Sequence, residues 1–138
     1  MKTYRGSCHC GAVAYEAEID FAAEGTGKCN CTSCWKRRWW GVKVRPEQFR
    51  ILKGAEQLVR YPANGPSVSG GPGGFCKTCG VTPFQQALVT EWNHGVTVSI
   101  NVATLDDLEP AELLAAKVQY FNGRDNAWWT PPQESRHL

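Results

Sequence analysis

The sequence predicts a mainly β fold with short helical segments, and three observations predict it. The run Val96-Thr97-Val98-Ser99-Ile100-Asn101-Val102 is β-branched and alternating, the clearest strand pattern in the chain, and Val13 to Ile19 alternates in a similar way. Pro66, Gly70, Gly71, Pro72, Gly73 and Gly74 crowd the stretch from Asn64 to Gly74, which reads as a loop or tight hairpin connection. The seven cysteines are not scattered but fall into three short groups.

The remaining elements follow in order. Trp39 to Val44 and Arg50-Ile51-Leu52 read as strands, with Pro46-Glu47-Gln48-Phe49 as a turn or single helical turn between them. Glu56 to Tyr61 and Pro83 to Val89 read as extended. Thr104 fits a helix N-cap before Leu105-Asp106-Asp107-Leu108, and Pro110 to Ala116 has room for one or two helical turns. Pro131 and Pro132 follow Trp128-Trp129-Thr130 and lack the N–H that a continuing helix needs. The glycines from Gly70 to Gly74 are a poor phosphate loop, because no Lys-Ser or Lys-Thr pair closes them and no helix clearly follows.

A chain of 138 residues has the size of one domain, here taken as residues 1–138, and should bury roughly 68% of its unfolded surface. It shows no internal repeat, charge block or clear linker. The net charge of +2 and the lack of a basic tail argue against nucleic acid as a partner. No run approaches the ~20 apolar residues of a membrane span. Met1 to Ser7 lacks the apolar stretch of a signal peptide, so a cytoplasmic location is expected. In a reducing compartment, dense thiols read as metal ligands or catalytic groups rather than disulfides, and an odd number would leave one unpaired in any disulfide framework.

Cys8 and Cys10 form a C-x-C, Cys29, Cys31 and Cys34 a C-x-C-x-x-C, and Cys76 and Cys79 a C-x-x-C. On an extended strand, residues two apart share a face, so a C-x-C there can present both sulfurs to one ion. A C-x-x-C closes a tight turn whose two thiolates grip one tetrahedral ion from one side. Gly80 allows the left-handed backbone that often follows such a turn, so Phe75 to Gly80 looks like a zinc knuckle. Structural zinc takes four ligands and catalytic zinc three plus an open position, and seven thiolates divide as four plus three. The simplest division joins Cys8 and Cys10 to Cys76 and Cys79 and leaves Cys29, Cys31 and Cys34 for a second ion. Spacing alone also allows Cys31 and Cys34 to join Cys76 and Cys79. Metal-free buried thiols would not explain three metal-spaced groups. The spacings favour knuckles over an iron–sulfur cluster, and a thioredoxin-like C-x-x-C would leave the C-x-C pairs unexplained.

The ordered set Ser7-Cys8-His9-Cys10-Gly11, Cys29-Asn30-Cys31-Thr32-Ser33-Cys34 and Phe75-Cys76-Lys77-Thr78-Cys79-Gly80 resembles the glutathione-dependent formaldehyde-activating enzyme family, also called the centromere-protein-V-like domain. The resemblance runs from about Tyr4 to Phe121. It implies a tent of packed antiparallel sheets stabilised by zinc. It implies two Zn²⁺ sites: a structural one on Cys8, Cys10, Cys76 and Cys79, and a functional one on Cys29, Cys31 and Cys34. It further implies carbon–sulfur lyase chemistry that interconverts glutathione and formaldehyde with S-hydroxymethylglutathione. Many members continue past the central motif with a basic residue and then small residues. Here the run is Trp35-Lys36-Arg37-Arg38-Trp39-Trp40, whose tryptophans would fill or reshape the space beside the metal.

Coordination of a small-molecule thiol at an open zinc would give the thiolate at neutral pH, held close to an aldehyde. Three thiolates already cancel the ion's charge, so binding and positioning the thiol should outweigh polarisation of the carbonyl. Lys36, Arg37 and Arg38 could hold the carboxylates of a peptide-like thiol, against the plainer reading of a solvated basic stretch. Trp35, Trp39 and Trp40 could wall a pocket or pack the core. His9 should point away from Cys8 and Cys10, His94 reads as an exposed turn residue, and His137 has no evident role. Trp128 and Trp129 are expected to pack the tail back on the core. The competing function is a non-catalytic binding module for a protein or nucleic acid, with both ions structural and the basic, tryptophan-rich run as its surface.

Overall fold

The computed structural model describes residues 1–61, 73–87 and 94–138. Strands dominate it, with short helices, and its sheets are open rather than closed into a barrel. The first sheet has three antiparallel strands: β1 (Lys2–Ser7), β2 (Ala14–Ile19) and, beside β2, a strand at Phe49–Lys53. Helix α1 (Phe21–Glu24) follows, with the Asp20 carboxylate accepting from the N–H groups of Ala22 and Ala23. Next come β3 (Thr26–Cys29), α2 (Thr32–Arg37) and β4 (Trp40–Val44), so the first-sheet strand at Phe49–Lys53 is β5. The chain continues through β6 (Leu58–Val59), β7 (Gly73–Cys76), β8 (Phe84–Ala87) and β9 (Thr97–Asn101) to α3 (Pro110–Ala115) and β10 (Val118–Phe121). The second sheet runs β10-β3-β4-β9-β8-β7-β6.

Alternation explains the core. Along β2, Tyr15, Ala17 and Ile19 are buried while Glu16 and Glu18 are more accessible. Tyr15 meets Phe49 of its own sheet at 5.6 Å and Phe84 of the other at 5.2 Å, and Phe49 and Phe84 lie 4.6 Å apart. Ile100, Val98 and Val42 complete the second sheet's inner face. The Tyr15 hydroxyl reaches this core only because Thr104 Oγ1, at 2.8 Å, pairs with it.

Several expectations need correction. Cys8 and Cys10 do not sit on a strand. β1 ends at Ser7, and Cys8 to Gly11 form a turn closed by the Gly11 N–H on the Cys8 carbonyl, with Gly11 at φ +73°. Thr104 caps no helix. It ends a single 3-10 turn, Val102–Thr104, capped by Asn101, and its hydroxyl turns inward. Glu56 to Tyr61 is extended only at β6, because Ala55–Gln57 coil into a 3-10 turn. Gly73 and Gly74 belong to β7 rather than to the glycine-rich connection, the rest of which lies outside the described residues up to 72. In the extended reading of Pro83 to Val89, β8 accounts for the described part, and residues 88 and 89 lie outside it. The sheets are not wholly antiparallel: β10 pairs with β3 in parallel, from Val118 beside Thr26 to Phe121 beside Cys29. No helix among the described residues is long and apolar enough to cross a membrane.

Candidate metal centres

The fold gathers all seven cysteines into two clusters and keeps the clusters separate. Cys8, Cys10, Cys76 and Cys79 form one and Cys29, Cys31 and Cys34 the other, each with its sulfurs within 4.8 Å of one another. A site built from Cys31 and Cys34 with Cys76 and Cys79 is therefore not what the fold assembles.

The four-sulfur cluster joins distant parts of the chain. Cys8 leaves the end of β1, and Cys76 ends β7 in the other sheet. The sulfurs of Cys8 and Cys10 are 3.6 Å apart and those of Cys10 and Cys76 are 3.7 Å apart. These separations are far beyond the ~2.05 Å of a disulfide. The Gly80 N–H closes the second turn on the Cys76 carbonyl at 2.8 Å, with Gly80 at φ +76°. The backbone N–H groups of Cys79 and Thr78 hold the Cys76 thiol down at about 6. Cys8 and Cys76 are buried, whereas His9 is exposed and outside the cluster.

The three-sulfur cluster is local. Cys29 ends β3, Cys31 is the N-cap of α2, and Cys34 lies in that helix's first turn. The Cys31 sulfur does the work usually left to a serine or aspartate oxygen, accepting the Cys34 N–H at 3.4 Å, while Cys29 accepts the Cys31 N–H at 3.4 Å. Hydrogen bonds from the Cys29 and Cys34 thiols hold the Cys31 thiol well below its usual range, and the same interactions push Cys29 and Cys34 up. A cation held by the three sulfurs would need them as thiolates, so its binding would release protons.

Asn30 fixes this loop. It is buried, its amide donates to Asn122 Oδ1 at 2.7 Å, and its own Oδ1 accepts the Arg124 N–H at 2.9 Å. The turn it grips also carries Gly123, where an added Cβ would lie 2.9 Å from the Cys29 sulfur and 2.6 Å from the Trp128 ring. Trp128 therefore packs next to the trio, whereas Trp129 is 73% exposed and does not pack the tail on the core. If the trio holds an ion, Asn30→Ala, by loosening the loop that carries Cys29 and Cys31, should weaken its retention about 10-fold or more. Competition with a chromophoric chelator measures this.

Cys29 and Cys34 line a cavity of about 80 Å³. Trp35, Trp39 and Trp40 all line it as well, and Trp40 also packs against the core. Of the three consecutive basic residues, only Arg38 reaches the cavity. Arg37 turns back to Ser33 and to Gln85 Oε1, and Lys36 is exposed. The second cation is Lys28, which the sequence did not single out. Its register partner across β3 and β4 is Trp40, and its ammonium lies 4.3 Å from the centre of that ring. Its place directly before Cys29 was the available signal. His137 stacks edge-on against Trp35 at 4.9 Å, so it takes part in the cavity's surroundings after all. His94 is an exposed turn residue.

A sequence profile of the family described as glutathione-dependent formaldehyde-activating enzyme matches residues 3–124 of the chain. The fold is also similar to the crystal structure of a Rhodobacter sphaeroides protein, at 28% sequence identity and a TM-score of 0.62, over 83% of this chain and 99% of that one.

Proposed function

The chain belongs to the glutathione-dependent formaldehyde-activating enzyme family, and on that basis we propose that it is a zinc-dependent carbon–sulfur lyase acting on thiol–aldehyde adducts. In this reading, residues 1–138 form one zinc-binding domain with two ions of different kinds.

The observation that carries the proposal is the inequality of the clusters. Four sulfurs complete a tetrahedron, while three sulfurs beside a tryptophan-lined cavity leave it one ligand short. A tetrahedron of sulfurs at about 2.3 Å from a zinc has edges of about 3.8 Å, and the 3.6 and 3.7 Å separations of the larger cluster suit that size. The all-sulfur donor sets also favour zinc over hard cations such as magnesium or calcium. Cys8, Cys10, Cys76 and Cys79 would hold the structural zinc. Cys29, Cys31 and Cys34 would hold the second, which supplies, when bound, a position where an external thiol sits as its thiolate at neutral pH.

The reaction forms a bond between the thiol sulfur and the aldehyde carbon and moves the thiol's proton to the carbonyl oxygen; the lyase direction reverses both changes. The chain's own residues serve it by placement. Asn30 ties the loop between Cys29 and Cys31 to the turn at residues 122–124, Trp35 and Trp40 wall the cavity beside Cys29 and Cys34, and Trp128 lies against Gly123 close to Cys29. The partners are then a small-molecule thiol such as glutathione and an aldehyde such as formaldehyde. Exchange spectroscopy with labelled formaldehyde and a panel of thiols tests this. The zinc-loaded protein should accelerate adduct formation and breakdown with at least one thiol, and stripping the second ion should abolish the effect. No acceleration with any thiol at full zinc content contradicts the lyase.

A further inference from the structure

We propose that Lys28 and Arg38 form a carboxylate-binding pair for an anionic, peptide-like thiol, in the place that the segment 135–138 takes in this structure. The proposal rests on the reading of the cysteine trio as a thiol site and adds what holds the rest of that thiol.

The segment shows what this wall binds. Lys28 Nζ donates to the Leu138 main-chain oxygen at 2.8 Å, and Arg38 Nη1 donates to the His137 main-chain oxygen at 2.9 Å. Both cations are braced on indoles, Lys28 over Trp40 at 4.3 Å and Arg38 over Trp35 at 4.8 Å. Arg38 reaches its position through a left-handed backbone, φ 52° and ψ 44°, at the C-cap of α2, a conformation unfavourable for a non-glycine residue. Two positive side chains thus face the main-chain oxygens of His137 and Leu138 in a cavity whose lining contains no acidic residue. Cationic donors of this kind hold carboxylates through charge-assisted hydrogen bonds.

Space supports exchange rather than addition. The cavity of about 80 Å³ is smaller than the ~300 Å³ at which small-molecule pockets begin. Leu138 is part of its lining, so moving the segment enlarges it. Little else holds the segment, which turns through the Leu138 N–H on the Ser135 carbonyl and rests on Trp35 through His137. Lys28 and Arg38 line the same cavity as Cys29 and Cys34. A thiol whose sulfur reaches the trio would therefore bring a carboxylate a few bonds away to this pair.

The test uses the full-length, zinc-loaded chain and matched thiols: 3-mercaptopropionate against 2-mercaptoethanol, and glutathione against its diethyl ester. Binding is read from tryptophan fluorescence and calorimetry. Each acid should bind about tenfold or more tightly than its neutral counterpart. Lys28→Gln and Arg38→Gln should each remove about tenfold from the acids alone, with zinc content and affinity for the neutral thiols unchanged, and Lys28→Arg should restore most of the loss. The double variant His137→Gly, Leu138→Gly should bind the acids several-fold more tightly. Equal binding of acid and neutral thiols, or equal losses for both in the variants, overturns the pair. An unchanged affinity in the double glycine variant overturns the exchange with the segment. Failure of every thiol to bind overturns the thiol site itself and this proposal with it.

Discussion

Cys76→Ser is expected to yield a chain that no longer melts as one cooperative unit. Zinc bound by thiolates in small sites is worth about 10–16 kcal/mol, whereas a whole domain is stable by only about 5–15 kcal/mol. In this fold the linkage is topological as well as energetic. Cys8 follows the edge of the three-stranded sheet and Cys76 ends a strand near the far edge of the other, so an ion held by the four sulfurs would clamp the two sheets together. Cys8 and Cys76 are 1% and 0% exposed, so half of the cluster lies inside the fold rather than on its surface. A serine hydroxyl can accept the N–H bonds that Cys76 receives, but it keeps its proton and is a poor zinc ligand. Circular dichroism melting and calorimetry should show a broad, low transition for the variant, and for wild type treated with a strong chelator. A cooperatively melting variant with wild-type zinc content would contradict the assignment.

Cys31→Ser should have the opposite character, with an intact fold and lost chemistry. Serine is a good N-cap, so α2 should keep the bond from the Cys34 N–H and start where it does now. The trio is half-buried and local to residues 29–34, so no sheet-to-sheet clamp depends on it. Stability should change by no more than about 1–2 kcal/mol, the range of a capping substitution. The proposed thiol–aldehyde activity should fall by more than ~100-fold, beyond what outer partners of a ligand usually cost. Melting curves and exchange rates on one preparation check both halves. A variant that keeps full activity would remove the trio from the reaction.

Much of the site was legible in the spacing of the cysteines. C-x-x-C and Gly80 specify a local turn, and local turns survive whatever the tertiary fold does. The four-plus-three division also matches the two groups in which the sulfurs gather. The C-x-C at Cys8 misled, because the same-face rule holds only for extended chain, and Gly11 bends this stretch into a turn. β3 and β10 were illegible for a different reason. Thr26-Gly27-Lys28-Cys29 has no apolar alternation and becomes a strand because Val118 to Phe121 and Gly27's partner Gly41 supply its hydrogen bonds. Lys28 was missed along with its strand. Thr104 looked like a cap because threonine is one, yet its hydroxyl finds Tyr15 and the Asn101 carbonyl inside the protein. The basic run is exposed throughout, as the plainer reading of a solvated stretch expected, with Arg37 turned back along α2 and only the left-handed Arg38 also reaching the cavity.

Zinc per chain, measured side by side in wild type and Cys31→Ser after exhaustive dialysis, bears most directly on the two-ion arrangement. Two equivalents in wild type and one in the folded variant are the expected values. A wild type that retains a single equivalent, or a variant that retains two, would mean that Cys29, Cys31 and Cys34 hold no ion of their own.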